Sequence, residues 1–113
     1  MAKIRLDIIL PCFNPPKDWA AELPRTIQNL EKALGPNVET RLILVNDGSA
    51  RGISPQNIEW LHAQLPRFGY VSFVPNQGKG NALRQGVIAS NGDFQIYTDI
   101  DFPYTEASFL AIF

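Results

Sequence analysis

The stretch Arg41-Leu42-Ile43-Leu44-Val45-Asn46-Asp47-Gly48-Ser49 joins an apolar run to a short polar turn. The aliphatic residues of Arg41–Val45 predict a β-strand. Asn, Asp, Gly and Ser all favour turns for local backbone reasons, so Asn46–Ser49 is expected to end that strand. The stretch therefore predicts a strand with a polar connection at its carboxyl end, and the rest of the chain repeats this pattern.

Helical patterns separate the predicted strands. Three further apolar runs predict strands at Ile4–Leu10, Tyr70–Val74 and Phe94–Thr98. The intervening helices are expected to start near Asp18 or Leu23, at Ser54-Pro55 and near Gly80, and to stop at Gly35-Pro36, Pro66 and Ser90. Strands that alternate with helices of about ten to fifteen residues predict right-handed crossovers. The expected fold class is therefore α/β, a Rossmann-like, mainly parallel sheet with helices on both faces.

The spacing of apolar residues predicts which side of each helix faces the sheet. In the first helix these residues are Leu23, Ile27, Leu30 and Leu34, and in the second they are Ile58, Leu61 and Leu65. In the third helix, Leu83 and Val87 are expected to point inward, while Ala82 and Gly86 permit close backbone approach.

Composition bounds the number of domains and the class of partner. With 113 residues and 45% hydrophobic content, residues 1–113 form one domain with a core of its own. Ten basic against eleven acidic residues predict no general attraction to nucleic acid.

A single cysteine excludes an internal disulfide, and the start Met1-Ala2-Lys3-Ile4-Arg5 lacks the apolar segment of a signal peptide. No run approaches the roughly 18 to 20 apolar residues of a membrane span, and the expected location is cytoplasmic.

Polar residues follow each predicted strand at its carboxyl end. They are Asn14, Asp47, the segment Asn76–Asn81, Asp99 and Asp101. In a parallel sheet ligands bind beyond the carboxyl ends of the strands, so one shared site is expected at this edge. Asp99 and Asp101 stand two residues apart and point to the same side of an extended backbone, where they can converge on one cation or polar ligand. Each motif also has a structural interpretation: such aspartate pairs are common, and Asp47 equally builds a turn.

Two nucleotide-binding patterns are absent. Gly78-Lys79-Gly80 lacks the upstream glycine and the Ser or Thr of a phosphate-binding loop, since Asn81 follows Gly80. The first strand leads into Pro11-Cys12-Phe13-Asn14 and not into the glycine-rich turn of a dinucleotide-binding fold. What remains is a lysine beside backbone N–H groups at a helix start, which suit an anion or merely cap the helix.

Cys12 and His62 are expected to have structural roles. With one histidine in the chain, a Cys-His catalytic pair has no support, and Cys12 is interpreted as a packing residue. His62 lies within the second helical pattern, away from the predicted ligand edge, so a place on the helix surface or in packing is expected. A zinc site is unsupported.

The order of these motifs resembles the N-terminal half of glycosyltransferase family 2, whose members have the GT-A fold and invert the sugar's configuration. Four segments carry the resemblance: Ile8-Ile9-Leu10-Pro11-Cys12-Phe13-Asn14, Leu42-Ile43-Leu44-Val45-Asn46-Asp47-Gly48-Ser49, Asn76-Gln77-Gly78-Lys79-Gly80-Asn81-Ala82 and Asp99-Ile100-Asp101. They are similar to the family's P-x-[YF]-N turn, V-[DN]-D-G-S motif, N-x-G-[KR]-[GA]-x-A loop and D-x-D motif. The resemblance covers nearly the whole chain.

The resemblance implies a site for a nucleotide-diphosphate sugar, most often one linked to UDP or GDP. By that resemblance, Asp47 accepts from the base N–H, and Asp99 approaches the ribose or sugar. Asp101 binds Mg²⁺ or Mn²⁺ that bridges the diphosphate, a role that suits a carboxylate because such cations prefer oxygen ligands. Lys79 assists as a point charge. Pro11 and Asn14 shape the turn that receives the base.

The chain departs from the family pattern in two places. Pro15 stands where many members have an acidic residue after the turn asparagine, so one contact to the nucleoside is expected to be missing. The family's catalytic base lies well beyond the D-x-D motif, and Glu106 is too close to that motif to be assigned this role. The catalytic residue is therefore unknown. The sequence is interpreted as a donor-binding half, truncated before the acceptor-binding half and inactive alone.

Other classes of protein remain open at this stage. A non-catalytic module that binds nucleotides or a partner chain is the main alternative, and a signalling or redox domain leaves the Asn-Asp-Gly-Ser and Gly-Lys-Gly motifs without roles. Either a disordered tail or self-association is expected from the apolar residues near the C-terminus, which are Phe102, Tyr104, Phe109, Leu110, Ile112 and Phe113. A longer parent protein is expected to associate with the cytoplasmic face of a membrane.

Overall fold

Within residues 3–98, the backbone forms four strands and three helices that alternate along the chain. The computed structural model describes residues 3–98. The strands are β1 (Ile4–Cys12), β2 (Val38–Asp47), β3 (Gly69–Phe73) and β4 (Phe94–Tyr97). The helices are α1 (Leu23–Leu34), α2 (Pro55–Gln64) and α3 (Lys79–Ala89). The α/β prediction is therefore confirmed, with somewhat different bounds for several elements.

All the strand pairs described are parallel, and the strand order is β3-β2-β1-β4. β1 is thus central, with Ile9 paired to Ile43 of β2 on one side and to Tyr97 of β4 on the other. The order runs outward from β1 to β3 and then returns to the other side of β1. In open sheets of this type, the crevice for a ligand opens at the carboxyl ends of the strands where the order reverses. That point lies between β1 and β4.

Helices cover both faces of the sheet, which is why β1 and β2 are apolar at successive positions. On one face, Leu6, Ile8 and Leu10 of β1 belong to a core with Leu23, Ile27 and Leu30 of α1 and Leu61 of α2. On the other face, a smaller core contains Ile9, Ile43, Val45 and Ala82 of α3.

Close approach of α3 to the sheet corrects one prediction. Ala82 and Gly86 are buried against the strands, and a Cβ at Gly86 would stand 2.4 Å from Cγ2 of Ile9. Leu83 packs against the smaller core. Val87 is 53% exposed, so the expectation that it points inward is wrong. Because α3 packs its small residues against the sheet, Val87, which follows Gly86, faces solvent.

The helix starts follow capping chemistry. α1 begins at Leu23, with Pro24 in its first turn, so the start near Leu23 is confirmed over a start at Asp18. Ser54 caps α2: its hydroxyl accepts from the backbone N–H of Asn57, and the Asn57 side chain accepts from the backbone N–H of Ser54. Such a reciprocal cap satisfies two backbone donors that have no partner within the helix.

Candidate functional site

Asp47 ends β2 with a buried carboxylate that binds the turn after β3. Its Oδ1 accepts from the backbone N–H of Gln77 at 2.8 Å. Its Oδ2 accepts from the backbone N–H of Gly78 at 2.9 Å and from Nδ2 of Asn76 at 2.8 Å. The residue is 3% exposed, and burial of a charge is costly unless it is well hydrogen-bonded. The three bonds thus make Asp47 the anchor of the segment Asn76–Gly78.

The carboxylate retains limited capacity for another donor. Two carboxylate oxygens offer about four lone-pair positions, and the turn uses one on Oδ1 of Asp47 and two on Oδ2. Counting only donors in residues 3–98, one acceptor position on Oδ1 is therefore left for a further hydrogen bond. Whether a nucleotide base provides it stays a prediction.

Gly48 allows the two loops to come this close. Its φ is 68°, a left-handed conformation that L side chains rarely adopt. A Cβ at this position would stand 2.4 Å from the backbone nitrogen of Asn76. The glycine of the Asn-Asp-Gly-Ser turn therefore serves backbone conformation and loop contact together.

Asn46 organises the same turn from its other side. Its Oδ1 accepts from the backbone N–H of Ser49 at 3.0 Å, the side-chain-to-backbone bond by which Asn favours turns. Its Nδ2 donates to the hydroxyl of Tyr70 on β3 at 2.9 Å. Asn46 thus stabilises the turn and ties it to β3, so the structural interpretation of the turn has direct support.

Asn14 ties the loop after β1 to the loop after β2. Its Oδ1 accepts from the backbone N–H groups of Ala50 at 2.8 Å and Arg51 at 3.2 Å. Its own N–H donates to Oγ of Ser49 at 2.9 Å. The φ of Asn14 is 44°, which asparagine tolerates better than most residues. Pro11 is half-buried and lies near the end of β1, where it is in register with Val45 of β2.

Lys79 begins α3 directly after the anchored turn. Gly78 precedes it as the N-terminal cap with a φ of 98°. The start of this 11-residue helix presents a positive dipole end, which favours anions. The structure therefore brings Pro11, Asn14, Asp47 and Lys79 to the carboxyl edge of the sheet, where the sequence predicted them.

The predicted metal ligands Asp99 and Asp101 lie outside the described residues. β4 ends at Tyr97, and the backbone N–H of Thr98 donates to the carbonyl of Ile9 at 3.1 Å. Within residues 3–98, no group of three or more His, Cys, Asp or Glu side chains is arranged to hold a metal ion. Asp47 accepts hydrogen bonds from the turn after β3, and the metal role of Asp101 stays a prediction.

The partners of the buried carboxylates were not predictable from the sequence. The carboxylate of Asp47 accepts from the backbone N–H groups of Gln77 and Gly78, and backbone donors leave no side-chain pattern. Asp7, 2% exposed on β1, similarly accepts from the backbone N–H groups of Asn91 at 2.9 Å and Gly92 at 2.8 Å. A charged residue inside an otherwise apolar strand was the available signal.

Cys12 and His62 have the surroundings that the sequence predicted. Cys12 is buried in the larger core, and burial raises the pKa of its thiol from 9.0 to about 12. Such a thiol stays protonated and is a poor nucleophile. His62 lies exposed on α2 and makes an edge-to-face contact with Phe68, with ring centroids 4.9 Å apart.

An open parallel sheet with its polar loops tied together at the carboxyl edge has the architecture of those α/β proteins whose ligands bind at that edge. The family model described as Glycosyl transferase family 2 matches residues 7–111. The chain belongs to this family, and its resemblance to glycosyltransferases extends to curated relatives and solved structures.

An N-acetylglucosaminyltransferase of Bradyrhizobium elkanii is 30% identical over 96 residues, which are 85% of this chain and 50% of that protein. A dolichyl-phosphate beta-glucosyltransferase of Saccharomyces cerevisiae is 26% identical over 103 residues, 88% of this chain and 30% of that protein. The chain thus spans half or less of these relatives.

The solved structure of S. aureus TarS has a TM-score of 0.67 at 20% identity, covering 87% of this chain and 17% of that one. A structure of TarS residues 1–349 in complex with UDP has a TM-score of 0.61 at 18% identity, covering 87% of this chain and 28% of that one. At these identities the likeness establishes the fold, which is that of the GT-A glycosyltransferases.

Among the helices in residues 3–98, none combines the length and apolar character needed to cross a membrane.

Proposed function

We propose that this chain supplies the donor site of an enzyme that transfers a sugar from a nucleotide-diphosphate sugar to an acceptor hydroxyl with inversion. The observation that carries the proposal is the Asp47 carboxylate, whose hydrogen bonds join the loop after β2 to the turn before α3. These hydrogen bonds hold one side of the carboxyl edge of the sheet in position before a ligand binds. Family membership and the fold of a UDP-complexed neighbour support the same assignment.

The base is assigned to the β1 and β2 side of the edge. The remaining lone pair on Oδ1 of Asp47 suits the N–H of a pyrimidine or purine base. Pro11 and Asn14 shape the neighbouring wall, and Asn14 holds that wall to the β2 loop through the N–H groups of Ala50 and Arg51. UDP is the favoured nucleotide because the neighbouring solved structure contains it, and GDP is the alternative.

The diphosphate and the sugar are assigned to α3 and to the residues after β4. The N-terminus of α3 and the ammonium group of Lys79 offer positive charge to the diphosphate. Asp99 would approach the ribose or the sugar, and Asp101 would hold Mg²⁺ or Mn²⁺, for which a carboxylate is a fitting ligand. Such a cation would neutralise the charge that the diphosphate gains when the anomeric C–O bond breaks.

Inverting transfer also needs a base that removes the proton of the attacking hydroxyl. None is assigned in this chain, so its proposed role is to bind and orient the donor. The rest of a longer enzyme would provide the base and the acceptor site. Cytoplasmic location, a membrane-associated parent and self-association remain predictions.

Calorimetric titration of UDP and GDP, with Mn²⁺ and with chelator, tests the donor site. UDP should bind more tightly with Mn²⁺, and Asp101→Asn should remove most of that difference because it deletes the charge that a hard cation requires. Glu59→Gln, on the exposed side of α2, is the control for a lost carboxylate. Equal affinity of wild type and Asp101→Asn at saturating Mn²⁺ would overturn the metal assignment. Binding of neither nucleotide would overturn the donor site, and metal-independent binding would favour a non-catalytic nucleotide-binding module.

A further inference from the structure

A cavity, which we name the Trp60 cavity, lies between the loop after β1, the loop after β2 and α2. Its volume is about 570 Å³, within the range of roughly 300 to 1,000 Å³ that small-ligand pockets occupy. Its side-chain lining includes Lys17, Asp18, Trp19, Arg51, Asn57 and Trp60. None of Pro11, Asn14, Asp47 and Lys79 lines it, so it is distinct from the proposed donor site.

The walls of the Trp60 cavity are held in place before any ligand arrives. The indole Nε1 of buried Trp19 donates to the carbonyl of Gly52. Gly52 has a φ of 90°, and a Cβ there would stand 2.8 Å from the carbonyl oxygen of Pro15. The loop after β1 and the loop after β2 are therefore closely packed on each other. A preformed site binds without the cost of ordering its own walls.

The chemistry of the lining is aromatic and cationic. Trp60 is 41% exposed, which leaves part of its indole surface available for stacking. Lys17 and Arg51 are exposed, and within residues 3–98 neither side chain forms an ion pair. Asp18 is the one carboxylate among the lining residues. An indole face accepts the C–H groups of a sugar ring, and guanidinium and ammonium groups bind phosphate or carboxylate.

The location of the cavity indicates how it relates to the donor site. Lys17 follows the carboxyl end of β1, and Arg51 follows that of β2, so both lie at the ligand-binding edge. The backbone N–H of Arg51 donates to Oδ1 of Asn14, which places the cavity wall next to the turn assigned to the base. A second ligand bound here would lie beside the donor.

We propose that the Trp60 cavity binds an anionic saccharide, with the sugar ring on Trp60 and its phosphate or carboxylate group on Lys17 and Arg51. The choice of a saccharide rests on the proposed function, whereas the recognition of an anion beside an aromatic face rests on the cavity alone. The occupant is a sugar unit of an extended acceptor, whose reacting hydroxyl would be held by the acceptor site that the rest of a longer enzyme provides.

The test uses the intact chain and follows tryptophan fluorescence together with the NMR signals of the two indole N–H groups. Glucose 6-phosphate and glucuronate represent the two anionic sources, and glucose and inorganic phosphate each lack one half of the proposed ligand. An anionic sugar should shift the Trp60 signal and bind at least about tenfold more tightly than glucose or phosphate. Whichever of the two anionic sugars binds more tightly identifies the charged group.

Variants assign the two halves of the site. The double variant Lys17→Ala/Arg51→Ala should bind the anionic sugar about tenfold more weakly than the wild type does. Trp60→Ala should bind the anionic sugar no more tightly than the wild type binds inorganic phosphate. Arg84→Ala removes an exposed arginine of α3 and is the matched control for lost charge. This variant should bind the anionic sugar with the affinity of the wild type. Equal binding of phosphate and sugar phosphate, or equal binding by wild type and the double variant, would overturn the proposal.

UDP titrations of the same variants separate this proposal from the donor site. Unchanged UDP affinity in Trp60→Ala supports two distinct sites. Loss of UDP affinity in that variant would make the cavity part of the nucleotide site and overturn the saccharide assignment. If the wild type binds the anionic sugar but not UDP, the donor-site proposal is overturned and the assignment of an anionic ligand to the Trp60 cavity stands.

Discussion

Oδ2 of Asp47 lies 2.9 Å from the backbone nitrogen of Gly78, so the residue that ends β2 holds the residue that caps α3. The two positions are 31 residues apart in the chain. Through this hydrogen bond the second strand determines where the third helix begins. The bond therefore links the part of the edge assigned to the base with the part assigned to the diphosphate.

Asp47→Asn should destabilise the protein by roughly 1 to 3 kcal/mol, because the new amide group replaces an acceptor with a donor inside a cluster of N–H donors. Chemical denaturation measures this loss, and Glu59→Gln should leave the unfolding midpoint unchanged. Amide exchange at Gln77 and Gly78 should also become faster. UDP affinity should fall both with and without metal. Unchanged exchange at both amides would contradict the anchoring role.

Gly48→Ala should destabilise the protein by roughly 1 to 3 kcal/mol, since the left-handed φ and the contact with Asn76 both oppose a Cβ. Gly80→Ala is the matched control, because a Cβ there meets nothing within 4 Å and the site lies in α3. That change should be neutral or stabilising by up to about 1 kcal/mol. Thermal unfolding of both variants checks the contrast, and an equal effect of the two would refute it.

Glu31 should contribute to stability at neutral pH and lose that contribution in acid. Burial raises its pKa, but hydrogen bonds from the side chain and backbone of Thr40 and the interaction with Arg67 outweigh burial and lower the pKa overall. A lowered pKa in the folded state means that the unfolded chain takes up the proton first, so stability falls as the pH drops below the usual range of glutamate.

The measurement is unfolding by denaturant between pH 3 and pH 7. Glu31→Gln should flatten the acid side of the stability profile relative to wild type, whereas Glu59→Gln should leave it as it is. Identical profiles for Glu31→Gln and wild type would show that the contacts of Glu31 with Thr40 and Arg67 do not influence folding.

Cys12 should resist alkylation in the folded protein at pH 9, because its pKa of about 12 keeps the thiol protonated and the side chain is buried. In denaturant the same thiol should react rapidly at that pH. Mass spectrometry after iodoacetamide treatment distinguishes the two states. Rapid native modification at an intact fold would contradict the burial of this residue.

The alternation of strands and helices was predictable because apolar runs and helical spacing are local properties of the chain. The cap at Ser54 was equally local. The start of β2 could not be predicted from its own residues. The strand begins at Val38 and not at Arg41, because β1 pairs with it from Ile4 onward. Pairing with a neighbour extends a strand beyond its own apolar run.

The position of the site was predictable, but its internal contacts were not. Asn14, Asp47 and Lys79 follow strand ends, so the topology alone brings them to one edge. The hydrogen bonds of Asp47 depend on the folded position of its carboxylate beside the backbone N–H groups of Gln77 and Gly78, 30 and 31 residues further along the chain. The roles assigned to Asp99 and Asp101, and association through the apolar C-terminal residues, fall outside residues 3–98 and stay predictions.

The central place of β1 has a consequence for synthesis on the ribosome. β1 is made before the other described strands, yet one of its two partners, β4, begins at Phe94. Until then its outer edge has no strand to pair with, and the Asp7 carboxylate lacks the amides of Asn91 and Gly92 that it accepts from across 84 and 85 positions. Contacts of such long sequence separation slow folding. The nascent chain therefore has to keep its first strand from pairing wrongly until nearly all of the described domain has been made.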